Sequence, residues 1–271
     1  MSDSFISIER GLGPHGRIAL VRFDRGTRAN PLSTDAMQQL RRVAESFEDD
    51  LETSVVVLTG NATAFSAGAD LKDARPAGKS GGGQSIAERI HRQRNGPKMC
   101  RAWEQMEQVT IAAIEGFAIG GGAALAVSLD FRFCGRSAHF RIPEVELGMN
   151  MSWGSIPRMV ALMGPARTKQ AVILASDRIM APEALEWGLV EKVVDDGQAV
   201  AAALEFASRI AEQPPLPVRM SKTTVNRVAF ALAESVSHMD PDQNVLSALT
   251  EDYAEGTAAF RERRKPRFSG R

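Results

Sequence analysis

"AIGGGAALAVSLD", residues 118–130, runs three consecutive glycines, Gly120 to Gly122, straight into an alanine-rich segment of helical character. Glycine lets another group approach the main chain closely, and the first peptide N–H groups of a helix have no intrahelical acceptor. With the positive end of the helix dipole behind them, these groups are suited to face a ligand oxygen. Close packing of helix on strand also favours glycine, so the stretch alone leaves both readings open. The segment before it, "TIAAIEG" (110–116), is a short apolar strand ending in glycine, and "SVVVLTG" (54–60) and "DFRFCG" (130–135) follow the same plan. The chain revisits one arrangement of strand, glycine-marked turn, loop and helix.

Working outward, "FISIER" and "GRIALVRF" alternate apolar and polar residues around "GLGPHG", which predicts an N-terminal hairpin. That turn spells GxGxxG, but a dinucleotide fingerprint must open a helix, whereas Pro14 interrupts this loop and a second strand follows. Ser33 is a candidate N-cap, and Met37, Leu40, Val43, Ala44 and Phe47 recur at helical spacing, which predicts a helix over 34–50. Residues 72–83, "KDARPAGKSGGG", form a glycine-rich loop, and a long helical stretch is expected over 84–108. "AGKSGG" is not a phosphate loop, because Asp73 stands where the motif needs its first glycine. "EWGLVEKVVDDG" reads as helix end, turn and strand, and "EQPPLPV" (212–218) breaks the helical region behind it. The expected division is a core over 1–205 and a C-terminal helical region over 206–271. The basic tail, with Arg261, Arg263, Arg264, Lys265, Arg267 and Arg271, is either solvated or a local site for a phosphorylated ligand.

The 271 residues, 44% of them hydrophobic, can support a sizeable packed interior. Lysine plus arginine and aspartate plus glutamate both total 33, so no bulk electrostatic field favours nucleic acid or an anionic membrane, and neither is expected as a partner. Cys100 and Cys134 lack a CxxC spacing and are expected as reduced structural thiols. With no export signal and no apolar run of membrane-spanning length, the expected location is cytoplasmic. His91, His139 and His238 show no ligand spacing, so no metal is expected.

Two further stretches carry candidate chemistry. In "AFSAGADLK" (64–72), the small residues Ala67, Gly68 and Ala69 would let peptide N–H groups contact a ligand directly. In "HFRIPEVELGMNMSWGS" (139–155), Glu144 and Glu146 would share one side of an extended segment. A carboxylate in an apolar pocket has its charged form disfavoured, which raises its pKa toward values useful for moving protons. For Glu146 a structural ion pair is the expectation.

These pieces, in this order, resemble the enoyl-CoA hydratase/isomerase (crotonase) family over nearly the whole chain. The ending "LTEDYAEGTAAFRERRKPRF" is similar to the family's C-terminal helix and tail. The resemblance implies an α/β fold, a spiral of repeated ββα units with a C-terminal helical appendage, and an acyl-CoA thioester substrate. Its coenzyme A is part of the substrate, and no separate cofactor is implied. Two main-chain N–H groups, of Ala67 and Gly121, would polarise the thioester carbonyl, and Glu144 would be the catalytic acid/base. Donors fixed where negative charge develops need no reorganisation during reaction. Coenzyme A would run along Arg28, Ala29, Ala64, Ser66, Ala69, Asp70 and Leu71, with Gly120, Ser152 and Trp153 beside the acyl group. Phe260 and Arg263, from the same or a neighbouring subunit, would reach the adenine end. A homotrimer or homohexamer is implied.

In hydratases of the family a first glutamate lies three residues after the second oxyanion glycine, and here that position is Ala124. Residues 121 and 124 share a helical face, so that side chain would point toward substrate. Ser152 stands where dienoyl-CoA isomerases carry another acid. What remains is one carboxylate, Glu144, and the resemblance then favours 3-enoyl to 2-enoyl-CoA isomerisation. A hydratase using one glutamate and an ordered water is the alternative, and an acyl-CoA-binding protein with little catalysis is a third. Met149, Met151, Trp153, Met159 and Met163 are candidates for a broad apolar acyl pocket, with core packing equally open for the last two.

Overall fold

The computed structural model describes residues 5–70, 73, 85–175 and 177–271. Leu71 and the glycine-rich loop, Asp73 apart, lie outside the described residues. The chain opens with strands β1 (Ile6–Leu12) and β2 (Ile18–Phe23), helix α1 (Thr34–Glu45) and strand β3 (Val55–Thr59). Helices α2 (Ile86–Gln93) and α3 (Asn95–Gln105) lead to β4 (Val109–Ile114), β5 (Phe117–Ile119) and α4 (Gly121–Ala126). Then come β6 (Phe131–Gly135), β7 (His139–Arg141), α5 (Ser155–Ile173), β8 (Ile179–Met180), α6 (Ala181–Glu186) and β9 (Lys192–Val194). Five helices close the chain: α7 (Ala199–Ala211), α8 (Pro215–Ala229), α9 (Ala233–Ser237), α10 (Asp240–Ser247) and α11 (Glu251–Glu262).

The main sheet has six strands in the order β1-β2-β3-β4-β6-β9, parallel except for the antiparallel β1–β2 hairpin. A second sheet orders β5-β7-β8, and Ser66 extends it by a parallel bridge to Ala118. Three times, then, a long strand is followed by a short one and by helix: β3 with Ser66, β4 with β5, and β6 with β7. This is the expected spiral of ββα units. Parallel strands covered on both faces read as continuous apolar runs. Every residue of β3 and β4 is buried. Their side chains alternate, with Val56, Leu58, Ala112 and Ile114 facing the core that holds Leu40 of α1 and Trp103 of α3. Val55, Val57, Ile111 and Ala113 face a second core closed by Ala199, Ala202, Ala203, Ala207 and Ala211 of α7.

Three boundaries differ from the sequence reading. Helix α1 starts where expected, with Ser33 Oγ accepting from the Ala36 N–H at 3.2 Å, but ends at Glu45. Glu48, Asp49 and Asp50 would place negative charge at the unfavourable end of the dipole. Asp50 instead accepts from the N–H groups of Glu52 and Thr53 and turns the chain toward β3. The stretch 84–108 is two helices, interrupted at Arg94 three residues before Pro97, which lacks an N–H and crowds the preceding turn. The expected division after residue 205 falls inside α7, whose alanines belong to the core. Helix α7 ends only ahead of the Pro214–Pro215 break, and α8 beyond it still packs Val218 against the same core.

Candidate active site

Helix α4 begins beneath the glycines that drew attention in the sequence. Gly120 adopts φ +52°, and a side chain there would place Cβ 2.6 Å from Glu144 Oε1. The missing side chain is what lets this carboxyl lie against the helix entrance. The Gly120 N–H donates to the Arg141 carbonyl at 2.9 Å, and the first intrahelical bond runs from Ala124 N–H to the Gly120 carbonyl. The N–H of Gly121, the first helical residue, therefore has no acceptor among the described residues. A Cβ on Gly68 would lie 2.8 Å from Gly121 N, and one on Gly122 2.4 Å from the Ser66 carbonyl. The two small-residue loops are thus brought into direct contact.

Glu144 leads into a short 3-10 turn, Val145–Leu147, and its carbonyl accepts from Leu147 and Met149. The residue is partly exposed, but its Oε2 is enclosed and has no hydrogen-bond partner among the described residues. Burial pushes the carboxyl from its ordinary value of 4.5 up to about 7, against the opposing pull of its own N–H and the Arg141 charge. Glu146, by contrast, is ion-paired to the Arg141 guanidinium and has the structural role expected of it. Ala124 is wholly enclosed in the core.

The first loop departs from the sequence reading in one respect. The Ala67 N–H, expected as a free oxyanion donor, is spent on the Ala29 carbonyl at 2.9 Å. Asn30 sets this geometry: its backbone is left-handed at φ +47°, its side chain is buried, and its Nδ2 donates to the Phe23 and Phe65 carbonyls. Ser66 Oγ donates to the Asn30 carbonyl and accepts from the Gly68 N–H, so this hydroxyl holds the loop. Ala64 is buried in a tight turn closed at both ends by Asn61. Arg28, Ala29 and Ala69 are exposed, Ala69 pairing with Leu32, while Asp70 is ion-paired to Arg25 at 2.7 Å.

Phe260 and Arg263 are not brought to these residues. They line a cavity of about 250 Å³ with Arg141, Glu146 and Leu147, and no residue of the 28–70 region lines it. In the basic tail, Arg264 is held by Glu255 and Glu262, and this contact keeps the Glu255 carboxyl near 2. Met151, Met159 and Met163 are buried in the main core. Met149 is partly exposed and touches Asn244. A cavity of about 660 Å³ lies elsewhere, between α8, α7 and the first residues of β4 and β6, lined by Val109, Phe131 and Phe206.

Four residues that the sequence reading passed over also shape the site. The Trp153 ring lies against Gly96 of α3, where a Cβ would meet three ring atoms at 2.0–2.5 Å, and against Gly121, at 2.4 Å. Arg158 donates to the Trp153 and Gly154 carbonyls, both at 3.0 Å, and is ion-paired to Glu104. Asp240 accepts from the Gly154 N–H at 2.7 Å. None of them was singled out in the sequence, where Gly96 and Glu104 fall inside the single helical stretch expected over 84–108.

Fold and site together define a crotonase-fold protein in which an enclosed carboxyl lies beside a helix-entrance N–H left without an acceptor among the described residues. The sequence profile of the enoyl-CoA hydratase/isomerase family matches residues 14–271. A short-chain-enoyl-CoA hydratase of Clostridium acetobutylicum is 32% identical over 94% of this chain and 95% of its own. A crotonyl-CoA hydratase of Syntrophomonas wolfei is 32% identical over 93% and 94%. Among solved structures, carnitinyl-CoA hydratase from Mycobacterium avium superposes with a TM-score of 0.81 at 30% identity, covering 98% of this chain and 99% of that one. The chain belongs to the enoyl-CoA hydratase/isomerase family.

Proposed function

We propose that the protein isomerises 3-enoyl-CoA to 2-enoyl-CoA thioesters, with Glu144 as the single acid/base. The observation that carries this reading is the Glu144 carboxyl: enclosed, without a partner for Oε2 among the described residues, and raised to about 7 beside Gly120. A group with a pKa near the working pH is half in the form that accepts a proton and half in the form that returns it. The carboxylate takes the C2 proton, and the electron pair moves onto the thioester oxygen as a dienolate. Gly121 N–H stabilises that oxygen, joined by Ala67 N–H once it leaves the Ala29 carbonyl. The proton returns to C4, and the double bond moves from C3–C4 to C2–C3. Ala124 offers no second acid to activate water.

The relatives' names favour a second reading, hydration of a 2-enoyl thioester by Glu144 and an ordered water. Turnover measured in parallel on 2-enoyl and 3-enoyl thioesters of equal length separates the two. The isomerase reading expects 3-enoyl conversion to exceed hydration at least 100-fold, and comparable or faster hydration would replace it with the second.

Coenzyme A is expected to lie along the exposed Arg28, Ala29 and Ala69, with no other cofactor required. A homotrimer or homohexamer is supported by exposed Leu216, Met220, Val225 and Val228 on α8, and in it Phe260, 54% exposed, could reach a neighbour's adenine. A cytoplasmic location is supported by two free, buried thiols, whose burial pushes Cys100 up to about 11 and Cys134 up to about 12.

A further inference from the structure

Trp153 combines three features that ordinary core packing does not require. Its backbone is left-handed, φ +63°, a conformation bulky residues rarely adopt. Its ring is pressed between two glycines on different helices, Gly96 and Gly121, and Gly121 carries the N–H free to meet a thioester oxygen. The neighbouring backbone is gripped from three helices. Arg158 of α5 holds two successive carbonyls, Glu104 of α3 anchors Arg158, and Asp240 of α10 takes the Gly154 N–H. A strained conformation persists only where its surroundings over-determine it, and such strain gathers at sites of function.

We propose that Trp153 sets the acyl length this site accepts, confining it to short chains, and that Arg158, Glu104 and Asp240 are positioning residues that hold the ring in place. The inference rests on the acyl-CoA reading above and adds a substrate class to it. The indole fills the space between α3 and α4 beside the Gly121 amide, where an acyl chain leaving the thioester would otherwise extend. Three of the four methionines that suggested a broad pocket, Met151, Met159 and Met163, are committed to the core. A rigid ring wedged on glycine cannot yield as a thioether would.

Calorimetric binding of butyryl-CoA and decanoyl-CoA, neither of which carries a reactive double bond, tests this on wild type, W153A, W153F and D240N. Wild type is expected to bind the butyryl ester more tightly. The ratio of the two dissociation constants should move at least tenfold toward decanoyl in W153A, and less in W153F. D240N, which keeps the shape of the side chain but weakens its hold on Gly154, should move the ratio at least threefold in the same direction. A general loss of stability would weaken both ligands and leave the ratio in place. Ratios within twofold of wild type in folded W153F and D240N overturn the inference while leaving the thioester reading intact. If wild type binds neither thioester, the thioester reading itself fails, and this inference with it.

Discussion

Glu144→Gln should make the protein less active and, at alkaline pH, more stable. The folded carboxyl keeps its proton up to about pH 7, whereas in the unfolded chain it releases it near the ordinary value of 4.5. Between these values the folded state binds more protons than the unfolded state, so stability falls as pH rises from about 4.5 to 7 and stays lowered above that. Each pH unit in the interval is worth about 1.4 kcal/mol, so ionising the enclosed carboxyl costs on the order of 3 kcal/mol. Glutamine keeps the shape and cannot ionise. Any fixed cost of seating its amide is the same at every pH. The stability of E144Q relative to wild type should therefore rise by about 3 kcal/mol between pH 4.5 and pH 8. Urea unfolding of both proteins at the two pH values measures this difference. Over the same change, 3-enoyl turnover should fall by roughly 100- to 10,000-fold, the usual contribution of a positioned general acid/base. Parallel pH profiles of stability would refute the reasoning, because they would mean the carboxyl is solvated or paired in solution.

Two glycines make further predictions. Gly121 is the first residue of α4, a position where proline is tolerated in a helix. G121P and G121A both add a Cβ against Trp153, but only G121P removes the N–H. The proline variant should have kcat/KM lower than the alanine variant by roughly 2.7–4 kcal/mol of transition-state stabilisation, about 100- to 1000-fold. Equal kinetics would exclude this N–H as a donor. G96A should destabilise the protein by about 1–3 kcal/mol through collision with the Trp153 ring, exceeding the gain of about 1 kcal/mol from removing a helical glycine. A denaturation midpoint at or above wild type would show that the ring does not rest there.

The long strands were legible because parallel strands buried on both faces spell themselves out, as "VVVLT" and "VTIAAI" do. Ser33 was legible as a cap because its bond is local. Glu144 and Gly121 could be placed together from their loops, and the ion pair of Glu146 followed from what remained. The unread features were non-local or lay in the backbone. Nothing in "RANPLS" shows that the Ala29 carbonyl turns onto the Ala67 N–H, since that contact depends on Asn30 bonding across to Phe23 and Phe65. Gly96 falls inside the single helix expected over 84–108, and its role as a seat for Trp153 appears only when a loop 57 positions away in the chain folds back onto it. Helix α7 was divided at residue 205 because an alanine-rich helix against a sheet has no compositional edge; its end is marked by the prolines that follow.

The central claim is that one carboxyl moves a single proton from C2 to C4. A 3-enoyl-CoA carrying deuterium at C2 tests it most directly, with the product analysed by mass spectrometry and NMR. Enclosure of Glu144 slows exchange with solvent, so a measurable fraction of the deuterium should appear at C4 of the 2-enoyl product, and E144Q should abolish this transfer. Complete loss of label to water with a 3-hydroxyacyl product, or transfer undiminished in E144Q, would contradict it.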